Sequence, residues 1–178
     1  MFRYFPVVCV IGARQVGKTT LVHSCFPGIA SVTFDEISDI GSARSDPDLF
    51  LQSHPAPYFL DEIQFVPQVL SSLKRLVDRD KRKGMYVLSG SQQFSVLKAL
   101  SESMAGRVAF LELPPLARGE ILGRSQERSF LRQWVASRGA IAGLPVAPRP
   151  ESIWPRIWRG GMPALIGLPD TMVADWCE

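Results

Sequence analysis

The sequence predicts an α/β fold with a mostly parallel sheet. Over the first two-thirds of its 178 residues, short apolar runs alternate with amphipathic segments, which is the arrangement of strands joined by crossover helices. The first apolar run, residues 5–11, is continuous, as expected for a strand that is covered on both faces. With 46% hydrophobic and 21% charged residues, the composition is that of a globular protein and excludes a disordered or fibrous one.

Five strands are predicted, each from an apolar run that stops at polar or turn-forming residues. They cover residues 5–11, 31–37, 57–63, 85–88 and 107–113. Between them, amphipathic segments and helix start and stop residues predict helices over residues 17–26, 46–52, 66–83 and 94–103. The longest helix ends in three basic residues and Gly84, which favour a helix C-terminus.

The chain after residue 113 is less regular. Pro114 and Pro115 close the first part, and a helical pattern returns around residues 129–138. Two glycines and three prolines over residues 139–150 predict a linker or irregular loop. We therefore expect three parts, namely a domain over 1–120, a helical extension and linker over 121–150, and the start of a C-terminal domain over 151–178.

Charge and cysteine content indicate the broad class. The net charge of +3 permits contact with nucleic acid but does not argue for it. Three widely spaced cysteines, without a Cys-x-x-Cys pair, indicate a reduced cytoplasmic compartment. No apolar stretch reaches the roughly 18–20 residues of a membrane span, so no membrane partner is expected.

The most specific motif follows the first predicted strand. Residues 12–19, GARQVGKT, match the pattern G-x-x-x-x-G-K-[ST] at every fixed position. In such a loop the glycines let backbone N–H groups point at phosphate oxygens, Lys18 places a cation between the β- and γ-phosphates, and Thr19 supplies a hydroxyl ligand for Mg²⁺. The predicted nucleotide-binding residues are Gly12, Ala13, Arg14, Gln15, Val16, Gly17, Lys18, Thr19 and Thr20.

Two carboxylates stand at the end of the third predicted strand. Asp61 and Glu62 follow an apolar run, and the carboxyl ends of parallel strands border the ligand crevice of an open sheet. Asp61 is suited to orient Mg²⁺ through its waters, and Glu62 to polarise an attacking water. Because the chain contains no asparagine, it cannot carry the Asn-Lys-x-Asp motif of GTPases, so ATP is favoured over GTP.

Two further residues are candidates for catalysis. Ser91, with Gln92 as second choice, follows the fourth predicted strand and could hydrogen-bond the attacking water or the γ-phosphate; a helix-capping turn is the alternative. Arg107 could reach the γ-phosphate in a neighbouring subunit, and a surface ion pair is the alternative. The six cations of residues 74–83 either complement a helix C-terminus, which is preferred, or bind nucleic acid.

Four segments together resemble a known family. GARQVGKTTL at 12–21, LDEIQ at 60–64, LSGSQQF at 88–94 and ESMAGR at 102–107 are similar, in this order, to motifs of prokaryotic AAA-type ATPases of the archaeal-ATPase-like branch. Those proteins carry a C-terminal domain of unknown function, and the segment GGMP resembles the opening of that domain. The resemblance covers about residues 4–120.

This resemblance implies a three-layer P-loop NTPase fold with a parallel five-stranded sheet in the order 5-1-4-3-2, plus a partial C-terminal helical segment. It also implies ATP and Mg²⁺ as ligands, with Lys18, Thr19, Asp61 and Glu62 in the roles given above. The chain starts almost on its first strand and stops shortly after the GGMP segment. These departures from the family pattern lead us to expect a C-terminally truncated chain.

The sequence therefore predicts an ATP-binding protein that hydrolyses ATP with Mg²⁺ to drive a conformational change of an attached domain or partner. The alternatives are a nucleotide-binding switch that does not hydrolyse ATP, and an ATPase associated with nucleic acid. Besides ATP, the expected partners are an unidentified client protein and further copies of the chain. In such an oligomer Arg107 would act in trans.

Overall fold

The chain forms two compact units, Met1–Pro114 and Pro115–Glu178. The structure, a computed structural model, describes residues 1–34, 40–91, 102, 104–124, 130–138 and 154–177. Most of the helix predicted over 94–103, the end of the strand predicted over 31–37, and the linker predicted before residue 150 lie outside the described residues. The predicted boundaries at residues 120 and 150 stay predictions.

A five-stranded parallel sheet forms the centre of the first unit. Its strands are β1 (Val7–Ile11), β2 (Ala30–Thr33), β3 (Tyr58–Asp61), β4 (Tyr86–Gly90) and β5 (Val108–Glu112). They are arranged as β2-β3-β4-β1-β5, which confirms the predicted order 5-1-4-3-2 counted from the other edge. Because every neighbouring pair is parallel, the carboxyl ends of all five strands lie at the same end of the sheet.

Strand β1 is interior, and its composition explains why. It pairs with β4 on one side and β5 on the other, and its residues Val7 to Val10 are at most 7% exposed. A β-branched run of this kind suits a strand that helices cover on both faces. The same burial raises the pKa of Cys9 to about 12, so its thiol stays protonated at neutral pH.

Helices cover both faces of the sheet, as predicted for a three-layer fold. Those that the described residues of the first unit define are α1 (Lys18–Cys25), α2 (Ile40–Ser45), α3 (Pro47–Ser53) and α4 (Val69–Asp80). Successive strand residues point to opposite faces. Phe59 and Val87 pack with Val22 of α1, whereas Leu60 and Leu88 belong to the larger cluster formed with α2, α3 and α4.

Helix α4 contributes the largest apolar face to this core. Val69, Leu70, Leu73 and Val77 recur at helical spacing and are all at most 3% exposed. Charged residues occupy much of the opposite face, so the helix has one orientation that buries its apolar stripe. This orientation directs the charged side chains of α4 to the protein surface.

Several element boundaries differ from the predicted ones where the backbone turns left-handed. The third strand stops at Asp61, two residues earlier than predicted, because Glu62 has a φ of 57°. The helix predicted to reach residue 83 stops at Asp80, because Lys81 has a φ of 51°. Helix α2 was not predicted, and its short sequence IGSARS carries little apolar periodicity.

The second unit is helical in its described part. Its helices are α5 (Arg118–Ile121), α6 (Phe130–Ala136), α7 (Trp154–Arg159) and α8 (Asp170–Cys177). Arg159 links two of them, because it donates to the carbonyl oxygens of Leu165 and Leu168 and pairs with Asp170. In neither unit does a described helix have the length and apolar character needed to cross a membrane.

The core role of α4 predicts a difference between two Leu→Ala substitutions. Leu73 is fully buried and Leu49 of α3 is 57% exposed. We expect Leu73→Ala to lower the free energy of unfolding by about 2–5 kcal/mol, because it removes packed methyl groups and leaves a cavity. Leu49→Ala should change it by about 0.5 kcal/mol or less. Urea unfolding of both variants measures this, and equal losses would contradict the assigned packing.

Candidate functional site

The loop between β1 and α1 lies at the carboxyl end of the sheet. Gln15 and Gly17 adopt left-handed conformations, with φ of 61° and 96°, a region that glycine enters without steric cost. Among the described residues, no backbone N–H of residues 13–17 donates to a backbone carbonyl. Such a turn, followed directly by a helix N-terminus, forms a cradle of N–H groups suited to an anion.

The loop packs too closely on Leu113, the residue that follows β5, for a side chain at its first position. A Cβ at Gly12 would lie 2.5 Å from the carbonyl oxygen of Leu113 and 3.0 Å from Cγ2 of Val16. Val16 is buried and anchors the loop to the protein. The exposed members of the predicted nucleotide-binding set are Ala13, Arg14, Gln15, Thr19 and Thr20.

Lys18 is a buried cation. The residue is 5% exposed, and its Nζ donates to the carbonyl oxygens of Ala13 at 2.9 Å and Gly12 at 3.3 Å. None of the ion pairs formed between described residues includes Lys18. A buried charge without a counter-charge is unfavourable, so an anionic ligand such as a phosphate fits this position.

The carboxylate of Asp61 joins three parts of the site. Its Oδ2 accepts a hydrogen bond from Oγ1 of Thr19 at 2.6 Å. Its Oδ1 accepts from Oγ of Ser89 and from the backbone N–H of Glu62, the latter at 3.1 Å. Asp61 is 3% exposed, so these bonds determine the orientation of a carboxylate that has little access to water.

Thr19 and Asp61 have the donor chemistry that Mg²⁺ prefers. Mg²⁺ beside nucleotides is held by one or two protein oxygens and completes its shell with waters and phosphate oxygens. A hydroxyl and a carboxylate in direct contact at the edge of an anion cradle fit that requirement. Over the described residues, no group of three or more His, Cys, Asp or Glu forms a separate metal cluster.

Glu62 and Gln64 form a hydrogen-bonded pair beside Asp61. Glu62 adopts a left-handed backbone conformation, which is uncommon for a residue with a side chain and is often found at functional sites. The Nε2 of Gln64 donates to Oε2 of Glu62. The Oε1 of Gln64 is buried and has no hydrogen-bond partner among the described residues. Gln64 therefore holds the Glu62 carboxylate in one orientation.

The structure brings together most of the predicted site and adds two residues that the sequence analysis missed. The fourth-strand contact to Asp61 comes from Ser89, whereas Ser91 follows the end of β4 and is partly buried. Gln92 lies outside the described residues. A hydroxyl within an otherwise apolar strand was the available signal for Ser89. For Gln64, the available signal was an amide side chain two positions after Glu62.

Arg107 is not brought to the loop within one chain. It precedes β5, at the amino end of the sheet, and pairs with Asp78 of α4 through two hydrogen bonds. The hydrogen bond from Arg107 lowers the pKa of the Asp78 carboxyl. Action of Arg107 on the nucleotide of a neighbouring copy stays a prediction.

The structure combines an anion cradle after β1 with a buried acidic residue at the end of β3, and a hydrogen bond from Thr19 to Asp61 joins the two. In a parallel sheet, this combination defines the class of P-loop nucleotide-binding proteins. The comparison of sequences gives the family. Residues 4–122 match the AAA domain family, so the chain belongs to that family and is by class an AAA-type P-loop ATPase.

Two relatives share much of this sequence. Uncharacterized proteins of Mycobacterium tuberculosis and Mycobacterium bovis are each 34% identical to it over 128 residues. The matched segment is 71% of this chain and 29% of each relative. The chain therefore corresponds to less than a third of the length of these relatives.

Two solved structures are more distant. A signal transduction ATPase with numerous domains from Pyrococcus horikoshii, with a tetratricopeptide repeat sensor, is 17% identical with a TM-score of 0.47, and the match covers 76% of this chain and 26% of that one. A sugar kinase from a Janibacter species is 20% identical with a TM-score of 0.33, over 79% of this chain and 81% of that one. Likenesses this remote add nothing about function.

The packing of Gly12 predicts a sharp contrast between two Gly→Ala substitutions. We expect Gly12→Ala to lower the free energy of unfolding by about 1–3 kcal/mol, because the new methyl group would collide with the backbone of Leu113. Gly41 of α2 has open space around its Cβ position, so Gly41→Ala should stabilise the protein by up to about 1 kcal/mol. Urea unfolding tests both, and an unchanged Gly12→Ala would contradict the close approach.

Proposed function

We propose that the loop of residues 12–19 binds ATP with Mg²⁺ and that Glu62 promotes its hydrolysis. The observation that carries the proposal is the 2.6 Å hydrogen bond between Oγ1 of Thr19 and Oδ2 of Asp61. It joins the phosphate-binding motif to the acidic strand end, which are 42 residues apart in sequence. In the whole protein, turnover would drive a conformational change of an attached domain or partner.

Lys18 and the loop N–H groups would bind the phosphates of ATP. Carbonyl oxygens of Gly12 and Ala13 already orient the ammonium group of Lys18. A charge that is positioned before the ligand arrives needs little reorganisation when negative charge develops on the γ-phosphate. The N-terminus of α1 adds a partial positive charge at the same place.

Thr19 and Asp61 would hold Mg²⁺, with Asp61 acting through water. When bound, this ion neutralises charge on the β- and γ-phosphate oxygens. Ser89 and the N–H of Glu62 keep the Asp61 carboxylate aimed at Thr19. The protein thereby fixes both oxygen ligands on rigid elements, the start of α1 and the end of β3.

Glu62 would accept a proton from the attacking water. As the water oxygen bonds to the γ-phosphorus, the bond from that phosphorus to the bridging oxygen of ADP breaks, and phosphate leaves. Gln64 acts as a positioning residue, because its amide holds the Glu62 carboxylate. Ser91 and, from a neighbouring copy, Arg107 are further candidates for contact with the water or the γ-phosphate.

The proposal also covers the compartment of the protein, its oligomeric state and its client. Unpaired Cys9 and Cys25 are consistent with a reduced, cytoplasmic compartment. A homo-oligomer would bring the Arg107 of one copy towards the nucleotide of another. The client on which the whole protein acts would be a protein contacted by the parts beyond this ATPase core.

Two substitutions test binding and hydrolysis separately. We expect Lys18→Ala to lose ATP binding, because it removes the buried cation, and Glu62→Gln to bind ATP but hydrolyse it at least about 100-fold more slowly, because it removes the base. Mg²⁺-dependent phosphate release and equilibrium binding of ATP are the measurements. Arg3→Ala, which removes an exposed cation, is the control and should behave as wild type.

Two outcomes would contradict the proposal, one in its hydrolysis step and one as a whole. A wild-type chain that binds ATP but hydrolyses it no faster than Glu62→Gln is a nucleotide-binding switch, and the hydrolysis proposal is then wrong. If the wild-type chain does not bind ATP at all, the whole proposal is wrong.

The pairing of Gln64 with Glu62 predicts a selective kinetic effect. Gln64→Met keeps the length of the side chain and removes its hydrogen bond, so we expect kcat to fall about tenfold while KM for ATP is unchanged. In the Glu62→Gln background the same substitution should have no further effect, because the base it positions is gone. Additive losses, or a change in KM alone, would show that Gln64 does not position the base.

A further inference from the structure

A surface groove runs between α3 and α4 at the amino end of β4. It consists of two cavities of about 320 and 250 Å³, which share Leu51, Gln52, Leu76 and Arg79 as lining residues. The second cavity extends to Met85 and Tyr86, where β4 begins. We call this feature the α3–α4 groove.

The groove is separate from the nucleotide site. The loop of residues 12–17 lies at the carboxyl end of the sheet, whereas the α3–α4 groove reaches the first residues of β4, at the amino end. Helix α4 runs between these ends, because it follows β3 and precedes β4. A ligand in the groove would therefore leave the loop of residues 12–17 accessible.

A row of arginines borders the groove. Arg75 and Arg79 line the first cavity, and Arg79 and Arg82 line the second. Their side chains are 62%, 72% and 62% exposed. Arg75 and Arg79 lie four residues apart on α4, a step of about 6 Å along the helix. Arg79 and Arg82 contact the same carboxylate, that of Asp80, so their guanidinium groups are neighbours at the groove.

This surface concentrates the positive charge of the chain. Residues 74–83 hold six basic and two acidic side chains, a net +4, while the whole chain has a net charge of +3. A helix C-terminus favours cations only within its last turn, and Lys74 and Arg75 precede that turn. The dipole of α4 therefore does not account for the entire cluster.

Nearby carboxylates only partly balance these cations. Arg75 pairs with Asp48, and Arg79 and Arg82 share Asp80. The Arg75–Asp48 pair joins two exposed side chains, and such pairs contribute little stability, so a multivalent anion can take the place of Asp48. With three arginines against two aspartates around the groove, a net positive charge remains for a ligand.

We propose that the α3–α4 groove binds the phosphodiester backbone of nucleic acid. A guanidinium group binds phosphate through two parallel hydrogen bonds, and a row of them suits a polymer whose charges recur at a regular step. The apolar floor formed by Leu51 and Leu76 suits the sugar face. An ordinary acidic peptide fits less well, because many of its residues carry no charge, whereas every nucleotide of the backbone carries one.

The binding is independent of base sequence. The aromatic residue that lines the groove in the described part of the chain, Tyr86, is fully buried, so it offers no face on which a base could stack. Contacts to phosphates position a protein on nucleic acid but do not read its sequence. The groove therefore recognises the backbone of the nucleic acid.

Fluorescence anisotropy with labelled oligonucleotides, one single-stranded and one duplex, tests this inference on the full chain. The test variant is Arg75→Gln/Arg79→Gln/Arg82→Gln. The matched control is Arg3→Gln/Arg118→Gln/Arg156→Gln, which removes three exposed cations elsewhere and gives the same net charge. Comparison of the two oligonucleotides shows which form of nucleic acid the groove accepts.

We expect wild-type affinity to fall as salt rises from about 50 to 200 mM, since binding releases counterions. The groove variant should bind at least about tenfold more weakly, with a salt slope smaller by about 2–3. The matched control should stay within about twofold of wild type. Lys18→Ala should bind as wild type, because the loop is not involved.

Four results would overturn the inference. The wild-type chain could fail to bind either oligonucleotide, or the two triple variants could lose affinity equally, which would reflect net charge alone. Loss of binding in Lys18→Ala would place the nucleic acid in the loop. Competition by polyglutamate as effective as that by unlabelled oligonucleotide would identify a surface for acidic peptides.

Discussion

The buried carboxylate of Asp61 is the constraint on which the candidate site depends. It accepts hydrogen bonds from Thr19 at the start of α1, from Ser89 of β4 and from the backbone of Glu62. These bonds connect a local motif to two neighbouring strands. A parallel sheet makes the connection available, because it places the carboxyl ends of all its strands together.

Positive charge is arranged differently towards the two ends of the sheet. At the carboxyl end Lys18 is a single buried cation in a cradle of N–H groups, which suits one compact ligand at a defined position. Towards the amino end, Arg75 and Arg79 of α4 and Arg82, two residues beyond its end, are exposed, an arrangement that suits an extended ligand. Helix α4 links the two regions and packs against the same core.

The parts of the site that sequence analysis predicted are those that lie close together in the chain. The loop of residues 12–19 was recognised because its glycines, lysine and threonine stand at fixed spacing, and Asp61 and Glu62 because they follow an apolar strand. Ser89 and Gln64 were missed, since their roles depend on contacts with Asp61 and Glu62 that no spacing rule describes. The ends of β3 and α4 were misplaced because Glu62 and Lys81 adopt left-handed conformations that side-chain patterns do not reveal.

Sequence patterns alone predict the alternation of strands and helices, the glycine-containing loop of residues 12–19 and the acidic strand end, because each depends on local periodicity or residue type. The family resemblance supplied the strand order, which the structure confirms. The contacts of Thr19 with Asp61, of Gln64 with Glu62 and of Arg107 with Asp78 are visible only in the folded protein. These contacts follow from strand register and helix packing, which are set by burial of the whole core rather than by any one segment.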